Sequence, residues 1–120
     1  MTFDYKVEVL IKEDEIKNRI KSLSEEINLF YKNSEKLLVV GLLRGSFVFI
    51  ADLSREINIP VEVDFMTVSS YGNSMSSSQN VRILSDLNTD IKSIDVLLVG
   101  DIIDTGHTLY QVIKLLNGRK

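Results

Sequence analysis

Two carboxylates stand close together where an apolar run meets a helical pattern. Asp101 and Asp104 flank two isoleucines in the stretch VLLVGDIIDTGHTL, residues 96–109. Carboxylates spaced by three residues across a turn can face one crevice, where they hold Mg²⁺, accept hydrogen bonds from sugar hydroxyls or transfer a proton. The alternative is structural: one carboxylate caps the following helix and the other is solvated.

The residues after Asp104 form a possible anion site. Residues 105–108 would enter a helix, where backbone N–H groups lack intrahelical partners and favour negative charge. Gly106 permits a close backbone approach, and Thr105 and Thr108 add hydroxyl donors. On these residues alone, a phosphate site and an ordinary helix cap both stay open.

Apolar patterns predict the elements that position these residues. Strand patterns occupy 7–11, 36–43, 61–68, 81–87 and 95–101, and helical patterns occupy 13–31, 46–58 and the stretch after the turn. Strands followed directly by helices indicate right-handed βαβ units and a largely parallel sheet, whose ligands bind beyond the carboxyl ends of its strands. The runs 36–43 and 95–101 are predicted to be buried on both faces.

Helical spacing also predicts which side chains form the core. The expected inner faces carry Ile16, Ile20, Leu23, Ile27 and Phe30 on the first helix, Phe47, Ile50, Ala51 and Leu53 on the second, and Leu109, Val112, Ile113 and Leu116 on the third. Phe47, Phe49, Phe65 and Met66 are expected in the core rather than stacked on a substrate. The polar stretch 69–80 is predicted to be a mobile loop.

Composition limits the possible partners. The 120 residues suit a single domain, 1–120, and the net charge of -3 with a pI of about 5.1 provides no basic field for nucleic acid. The chain has no cysteine, which excludes thiolate metal sites and thiol nucleophiles. Neither a signal peptide nor an apolar run of membrane-spanning length is visible. These features predict a soluble, cytoplasmic domain that binds neither nucleic acid nor membrane.

At this point the residues resemble a known family. VLLVGDIIDTGHTL is similar to the phosphoribosyl-pyrophosphate-binding motif of type I phosphoribosyltransferases, and most closely to bacterial hypoxanthine (hypoxanthine-guanine) phosphoribosyltransferases. VGLLRGSFVFIADLSREI (40–57) and VEVDFMTVSSYGNSMSSSQNVRILSDL (61–87) are similar to two further signature stretches in order and spacing. The resemblance implies a parallel-sheet, Rossmann-like α/β core with a flexible β-hairpin lid loop.

The resemblance also implies an activity. Members transfer ribose 5-phosphate from phosphoribosyl pyrophosphate to N9 of hypoxanthine or guanine, with Mg²⁺, in purine salvage, and relatives are homodimers or homotetramers. The products are inosine or guanosine monophosphate and pyrophosphate. The alternatives are a non-catalytic nucleotide-sensing or regulatory module on the same fold and a fragment that only associates with relatives.

Site residues follow from the matched motifs. The 5'-phosphate loop corresponds to Asp104, Thr105, Gly106, His107 and Thr108. Asp104 would also be the acid/base for the purine N7 proton, and Asp101 would face the ribose hydroxyls and the metal. His107 is the only histidine, and we expect its backbone amide, not its imidazole, to matter.

Two other segments match the family. Leu43, Arg44 and Gly45 correspond to the pyrophosphate-binding loop, although Arg44 could also be a solvated loop residue. Ser69, Ser70 and Tyr71 correspond to the start of the lid loop that would exclude water from the reacting ribose carbon, with a plain polar surface loop as the alternative.

The chain departs from the family pattern at two places. Gly100 stands where members usually carry an acid, and losing one charged hydrogen bond is predicted to weaken ribose or metal binding roughly ten- to a hundredfold. Relatives also continue beyond the position of Lys120, where they carry the purine-reading residues. We therefore expect a truncated chain of reduced activity, whose purine preference is not encoded in these residues.

Overall fold

The computed structural model describes residues 8–43, 45–70, 81–100 and 107–119. These residues form three helices and four strands, in the order α1 (Glu13–Phe30), β1 (Leu37–Leu42), α2 (Phe47–Glu56), β2 (Val61–Ser70), β3 (Val81–Ser85), β4 (Asp95–Val99) and α3 (His107–Asn117). The helices predicted at 13–31, at 46–58 and after the turn are confirmed. So are the strands predicted from residue 36 onward.

The four strands form one sheet in the order β3-β2-β1-β4. β1 pairs in parallel with β2 and β4, whereas β2 and β3 are antiparallel. The predicted α/β fold with a largely parallel sheet is therefore confirmed.

β1 is the centre of two hydrophobic cores. Leu37 and Val39 contribute to the core beneath α1 and α2, while Leu38 and Val40 contribute to the core beneath α3. All four side chains are fully buried, as expected for a strand covered on both faces.

The N-terminal strand prediction is wrong for the residues that can be checked. Residues 8–11 form no strand, and Val9, Leu10 and Ile11 are exposed; residue 7 lies outside the described part of the chain. Alternating apolar residues form a strand only when another strand pairs with their N–H and C=O groups. No strand of the described residues lies beside this segment.

The ends of α1 are more exposed than its periodicity predicts. Ile20 and Ile27 are buried and Leu23 is partly buried, but Ile16 is exposed and Phe30 is 80% exposed. The 18-residue helix is about 27 Å long, whereas the six-residue β1 spans about 20 Å. The helix therefore extends past the sheet, and its terminal apolar residues have no strand beneath them.

Phe47 is also misplaced by the sequence-based prediction. It is 60% exposed, although Ile50 and Leu53, on the same helix, are buried and Ala51 is half-buried. α2 begins after the turn that follows β1, so Phe47 lies at the carboxyl edge of the sheet, whereas Ile50, later in the same helical turn, packs over Gly41. The core positions predicted for the other three residues are confirmed. Met66 is fully buried, and Phe49 and Phe65 pack against the core beneath α1 and α2.

The prediction that the 95–101 run is fully buried is wrong. Val99 is buried, but the preceding three residues of β4 are half-buried and Asp95 is exposed. Within the described residues, β4 is the last strand of the sheet and has a neighbouring strand, β1, on one side only. On α3, Val112 and Leu116 are buried as predicted and Leu109 is half-buried, whereas Ile113 is exposed.

A buried carboxylate fixes the connection between β3 and β4. Asp64, on β2, is only 7% exposed. It accepts hydrogen bonds from the backbone N–H groups of Phe65 (2.8 Å), Asn88 (2.9 Å) and Thr89 (3.0 Å). Burial raises the pKa of the Asp64 carboxyl, but these hydrogen bonds, with one from the Thr89 hydroxyl, outweigh burial and hold it below its ordinary value of 3.8.

An ion pair at a more exposed position joins the end of β3 to the end of α3. Both terminal nitrogens of Arg119 donate to the Asp86 carboxylate at 2.8 Å. The hydrogen bond from Arg119 lowers the pKa of Asp86. Because both side chains contact solvent, we expect this pair to contribute less than about 1 kcal/mol.

Asp64→Asn should lower the free energy of unfolding by about 2–3 kcal/mol at neutral pH, because an amide cannot satisfy the three N–H donors as a carboxylate does. The folded pKa of Asp64 lies below the unfolded one, so its contribution is complete above about pH 4 and is lost as the pH falls through the folded value. Urea denaturation between pH 3 and pH 7 measures both effects.

The matched control is Asp86→Asn, which removes another carboxylate of lowered pKa from an exposed position. It should change the free energy of unfolding by less than about 1 kcal/mol. Equal losses in the two variants would contradict the role assigned to Asp64.

Candidate functional site

The carboxyl ends of three parallel strands define one edge of the sheet. Leu42 is in register with Met66 of β2, and Gly41 is in register with Val99 of β4. The chain proceeds from β1 through α2 to β2 on one side, whereas β4 lies on the other side of β1. Strand order therefore reverses at β1 and β4, and parallel sheets bind their ligands in the crevice at such a point.

Described residues of the predicted phosphate segment and of the predicted pyrophosphate segment follow strands that end at this edge. Leu43 and Gly45 are exposed in the turn after β1, and His107 is the first residue of α3, which follows β4. Thr108 is in the first turn of α3, so the prediction of a helix entry within 105–108 is confirmed. The remaining assigned residues lie outside the described part of the chain: Arg44, Tyr71, Asp101, Asp104, Thr105 and Gly106.

Ser69 and Ser70 do not belong to a loop. They are the last residues of β2 and pair with Arg82 and Val81 of β3. Ser70 lies four residues beyond Met66, the partner of the last residue of β1, so this arm extends about 13 Å past the end of β1. The pairing register shifts between Thr67 and Val68, at the base of the arm, and such irregularities bend a strand pair.

Gly41 determines how closely α2 approaches the sheet. A Cβ at this position would overlap Cδ1 of Ile50 and would lie 3.0 Å from Cδ1 of Phe65. The first side chain belongs to α2 and the second to β2, so only a glycine allows both to meet over the end of β1. The sequence contains a signal for this contact, since a glycine inside an apolar strand often marks a close approach.

Ser46 closes the turn that carries Leu43 and Gly45. Its hydroxyl donates to the Leu42 carbonyl at 2.6 Å, and Ser46 is fully buried. The N–H of Leu43 donates to the Met66 carbonyl at 2.9 Å, which ties the start of the same turn to β2. Residue type alone does not indicate this contact, since a serine before a helix is typical of an ordinary N-cap.

Gly100 lies directly after β4, at the same edge. Among the described residues, no atom lies within 4 Å of a Cβ built at this position, and the backbone of Gly100 is not in the left-handed region. The described residues therefore leave room for a side chain at position 100, in contrast to Gly41.

The carboxylates that could hold a metal come from the segment after Gly100. Mg²⁺ binds through one or two carboxylates while keeping waters and substrate phosphates as its other ligands. Asp101 and Asp104 provide that donor set, so the residues present fit the ion. Asp101 and Asp104 lie outside the described ranges, within which no group of three or more His, Cys, Asp or Glu is close enough together to hold a metal.

A groove of about 790 Å³ lies away from this edge. It runs between the start of α1 and the second half of α2, which has returned to the opposite end of the sheet. Its walls combine apolar residues with charged groups of both signs, among them Lys17, Asp52 and Arg55. Within the described ranges, no helix is long and apolar enough to span a bilayer.

The sequence comparison identifies the class of protein to which this fold and crevice belong. Residues 10–120 match the phosphoribosyl transferase domain. The chain therefore belongs to the phosphoribosyltransferase family, as its three motifs predicted.

Within that family the chain is similar to hypoxanthine phosphoribosyltransferases. It is 55% identical over 115 residues to the hypoxanthine phosphoribosyltransferase of Salmonella typhimurium, covering 95% of this chain and 65% of that protein. The chain thus spans about two-thirds of the length of this relative.

Solved structures show the same likeness. The hypoxanthine-guanine phosphoribosyltransferase of Bacillus anthracis, with HEPES in its active site, superposes with a TM-score of 0.88 at 35% identity, covering 95% of this chain and 67% of that one. The Trypanosoma cruzi hypoxanthine phosphoribosyl transferase gives 0.89 at 36% identity, covering 100% of this chain and 66% of that one. In the Trypanosoma cruzi protein, the C-terminal region has a role in the oligomeric state and in the enzymatic activity.

Gly41→Ala should lower the free energy of unfolding by about 1–3 kcal/mol, because the new methyl group forces Ile50 and Phe65 apart in a packed interior. Gly100→Ala is the matched control, since no described atom lies near its added methyl group, and should change that free energy by less than about 0.5 kcal/mol. Thermal denaturation of the two variants measures the difference. Equal stabilities would mean that α2 can move away from β1 without cost.

Proposed function

We propose that this chain carries the phosphoribosyl-pyrophosphate site of a hypoxanthine phosphoribosyltransferase of purine salvage. The observation that carries the proposal is the meeting of the 42–46 turn and the start of α3 at one strand-order reversal. Its 55% identity to a hypoxanthine phosphoribosyltransferase supports the choice of substrate. The reaction moves ribose 5-phosphate from phosphoribosyl pyrophosphate to N9 of hypoxanthine or guanine, giving the nucleoside monophosphate and pyrophosphate.

Each assigned segment binds one part of the substrate. The backbone N–H groups at the start of α3, with Thr105, Gly106, His107 and Thr108, bind the 5'-phosphate, because the start of a helix carries unpaired donors and positive dipole charge. Leu43, Arg44 and Gly45 bind the pyrophosphate group. The two anions are thus held on opposite sides of the crevice, with the ribose between them.

The bond changes occur at C1 of the ribose. The lone pair of purine N9 forms the new bond to C1, and the bond from C1 to the pyrophosphate oxygen breaks, leaving its electrons on pyrophosphate. Asp104 accepts the proton from purine N7, which keeps the product base neutral. Ser69 and Ser70, at the end of the hairpin arm, and the following Tyr71 belong to a lid that keeps water from C1.

Mg²⁺ would be held by Asp101, with Asp104 nearby, and by the ribose and pyrophosphate oxygens of the substrate. When bound, it neutralises charge on the leaving pyrophosphate. In the chain itself, Asp101 orients the ribose hydroxyls, and Arg44 adds positive charge to a protein whose net charge is -3.

We further propose that residues 1–120 belong to one cytoplasmic domain that assembles as a homodimer or homotetramer. One continuous sheet whose central strand contributes to both cores supports the single domain. Exposed apolar side chains on α2 and β3, including Phe47, Val48 and Leu84, support association with further copies.

The protein encoded by the complete reading frame around these residues should form inosine monophosphate from hypoxanthine and phosphoribosyl pyrophosphate when Mg²⁺ is present. Asp104→Asn should lower kcat by about 10²-fold or more, with a much smaller change in KM, because it removes the proton acceptor. Asp90→Asn, at an exposed position between β3 and β4, is the control and should leave kcat unchanged. Absence of nucleotide product with every 6-oxopurine would refute the proposed activity.

Gly100→Glu should lower the KM for phosphoribosyl pyrophosphate roughly ten- to a hundredfold, because it restores the acid that family members usually carry beside the ribose. The thermal midpoint should stay close to that of the unaltered protein, since the described residues leave space at this position. Steady-state kinetics and a melting curve test both statements.

The same glycine favours a second candidate function, a module that binds nucleotides without turnover. Under that alternative, calorimetry would detect phosphoribosyl pyrophosphate binding, and neither the unaltered protein nor Gly100→Glu would form product.

A further inference from the structure

Ser46 occupies the N-cap position of α2 but does not act as a cap. N-cap serines ordinarily have an extended backbone and accept a hydrogen bond from an amide two or three residues later. Here the backbone is helical, with φ −76° and ψ −8°, and the side chain makes no such bond. The hydroxyl points backwards and donates to the Leu42 carbonyl at 2.6 Å. The usual stabilisation of the helix start is therefore given up for a bond across the preceding turn.

This bond is one of two anchors that hold the turn. At its start, the Leu43 N–H donates to the Met66 carbonyl on β2 at 2.9 Å. At its end, Ser46 is fully buried, and its own carbonyl accepts the first hydrogen bond of α2, from Ile50 at 2.9 Å. The ends of the turn are thus attached to β1, β2 and α2, whereas Leu43 and Gly45 are exposed at the crevice.

Exposed residues between two fixed ends lose little conformational freedom when a ligand binds. Backbone amides that must be ordered during binding reduce affinity by the entropy of ordering them, and a prearranged backbone avoids that loss. Gly41 acts in the same direction, because it lets Ile50 of α2 lie against the end of β1. The first turn of α2 and the last residues of β1 therefore form a rigid base for the turn.

We propose that Ser46 is a positioning residue that prearranges the backbone of Leu43 and Gly45 to receive the diphosphate group of the substrate. The inference rests on the proposed function for the identity of that group. Ser46 itself does not touch the ligand, because its hydroxyl is committed to the Leu42 carbonyl and its side chain is buried. Its contribution should appear in the binding of pyrophosphate and phosphoribosyl pyrophosphate rather than in proton transfer by Asp104.

The test compares Ser46→Ala with Ser54→Ala in the protein from the complete reading frame. Ser54 lies on the same helix, and its hydroxyl also donates backwards, to the Ala51 carbonyl at 3.3 Å, but far from the turn. Ser46→Ala should raise the KM for phosphoribosyl pyrophosphate and weaken calorimetric binding of Mg²⁺-pyrophosphate by about three- to tenfold each, with kcat nearly unchanged. Ser54→Ala should change none of these quantities.

Amide hydrogen exchange of Leu43, measured without substrate, separates this inference from the proposed function. Ser46→Ala should accelerate that exchange by about three- to tenfold relative to the unaltered protein and to Ser54→Ala, because one end of the turn is released. Unchanged exchange, or equal effects of the two variants on KM, would overturn the inference even in an active enzyme. Failure of the unaltered protein to bind pyrophosphate or form product would instead overturn the proposed function, and the exchange rates would still decide whether Ser46 holds the turn.

Discussion

β1 is buried on both faces of the sheet. Its first four side chains point alternately to one face and the other, and all of them are fully buried: Leu37, Leu38, Val39 and Val40. Each contributes about 1.5–3 kcal/mol only if its own face is covered. β1 therefore needs helices on both faces to cover its side chains, and a strand on either side to pair with its backbone N–H and C=O groups. Because its neighbours β2 and β4 are parallel to it, the chain leaves all three strands at a common edge. The position of the candidate site thus follows from the burial of β1.

The end of β1 also separates two different parts of the candidate site: a turn held against the sheet and a hairpin arm that extends past it. Next to β1, Gly41 and Ser46 bring α2 and the 42–46 turn into direct contact with the sheet. Next to β2, the hairpin arm continues four residues past the end of β1, to Ser70, with an irregular register at its base. The turn assigned to pyrophosphate is thus anchored in the core, whereas the segment assigned to the lid begins well outside it.

Local pattern predicted most of the elements, and the errors have a common physical origin. The continuous run at 36–43 and the stripe from Leu109 to Leu116 determine their structures largely through their own residues. The three errors concern properties that depend on neighbouring elements. A strand at 8–11 requires a partner strand, burial of Phe47 requires a strand beneath the start of α2, and full burial of the run at 95–101 requires a second neighbouring strand. Periodicity encodes which face of an element is apolar, but it does not encode where the covering element ends.

In the candidate site, too, some features could be predicted from residue type, whereas others depend on contacts with distant residues. Acidic and threonine side chains in GDIIDTGHT suggested phosphate and metal chemistry from residue type alone, and resemblance to a family assigned their roles. Ser46 was missed because its identity matched an ordinary cap, and only its hydrogen bond to Leu42 distinguishes it. Gly41 carried a readable signal, a glycine in an apolar strand, but the two side chains that require it come from elements 9 and 24 residues away.

The hydrogen bonds of Asp64 to Asn88 and Thr89 enclose the hairpin formed by β2 and β3. These hydrogen bonds join β2 to the residues that follow β3, and thus hold the base of the hairpin together. Lengthening a loop between fixed ends has a small entropic effect, about 0.6 kcal/mol for each doubling of its length. Residues inserted in the chain between Ser70 and Val81, such as a peptide epitope or a fluorescent reporter, should therefore leave the pairing of β2 with β3 and the strand order unchanged.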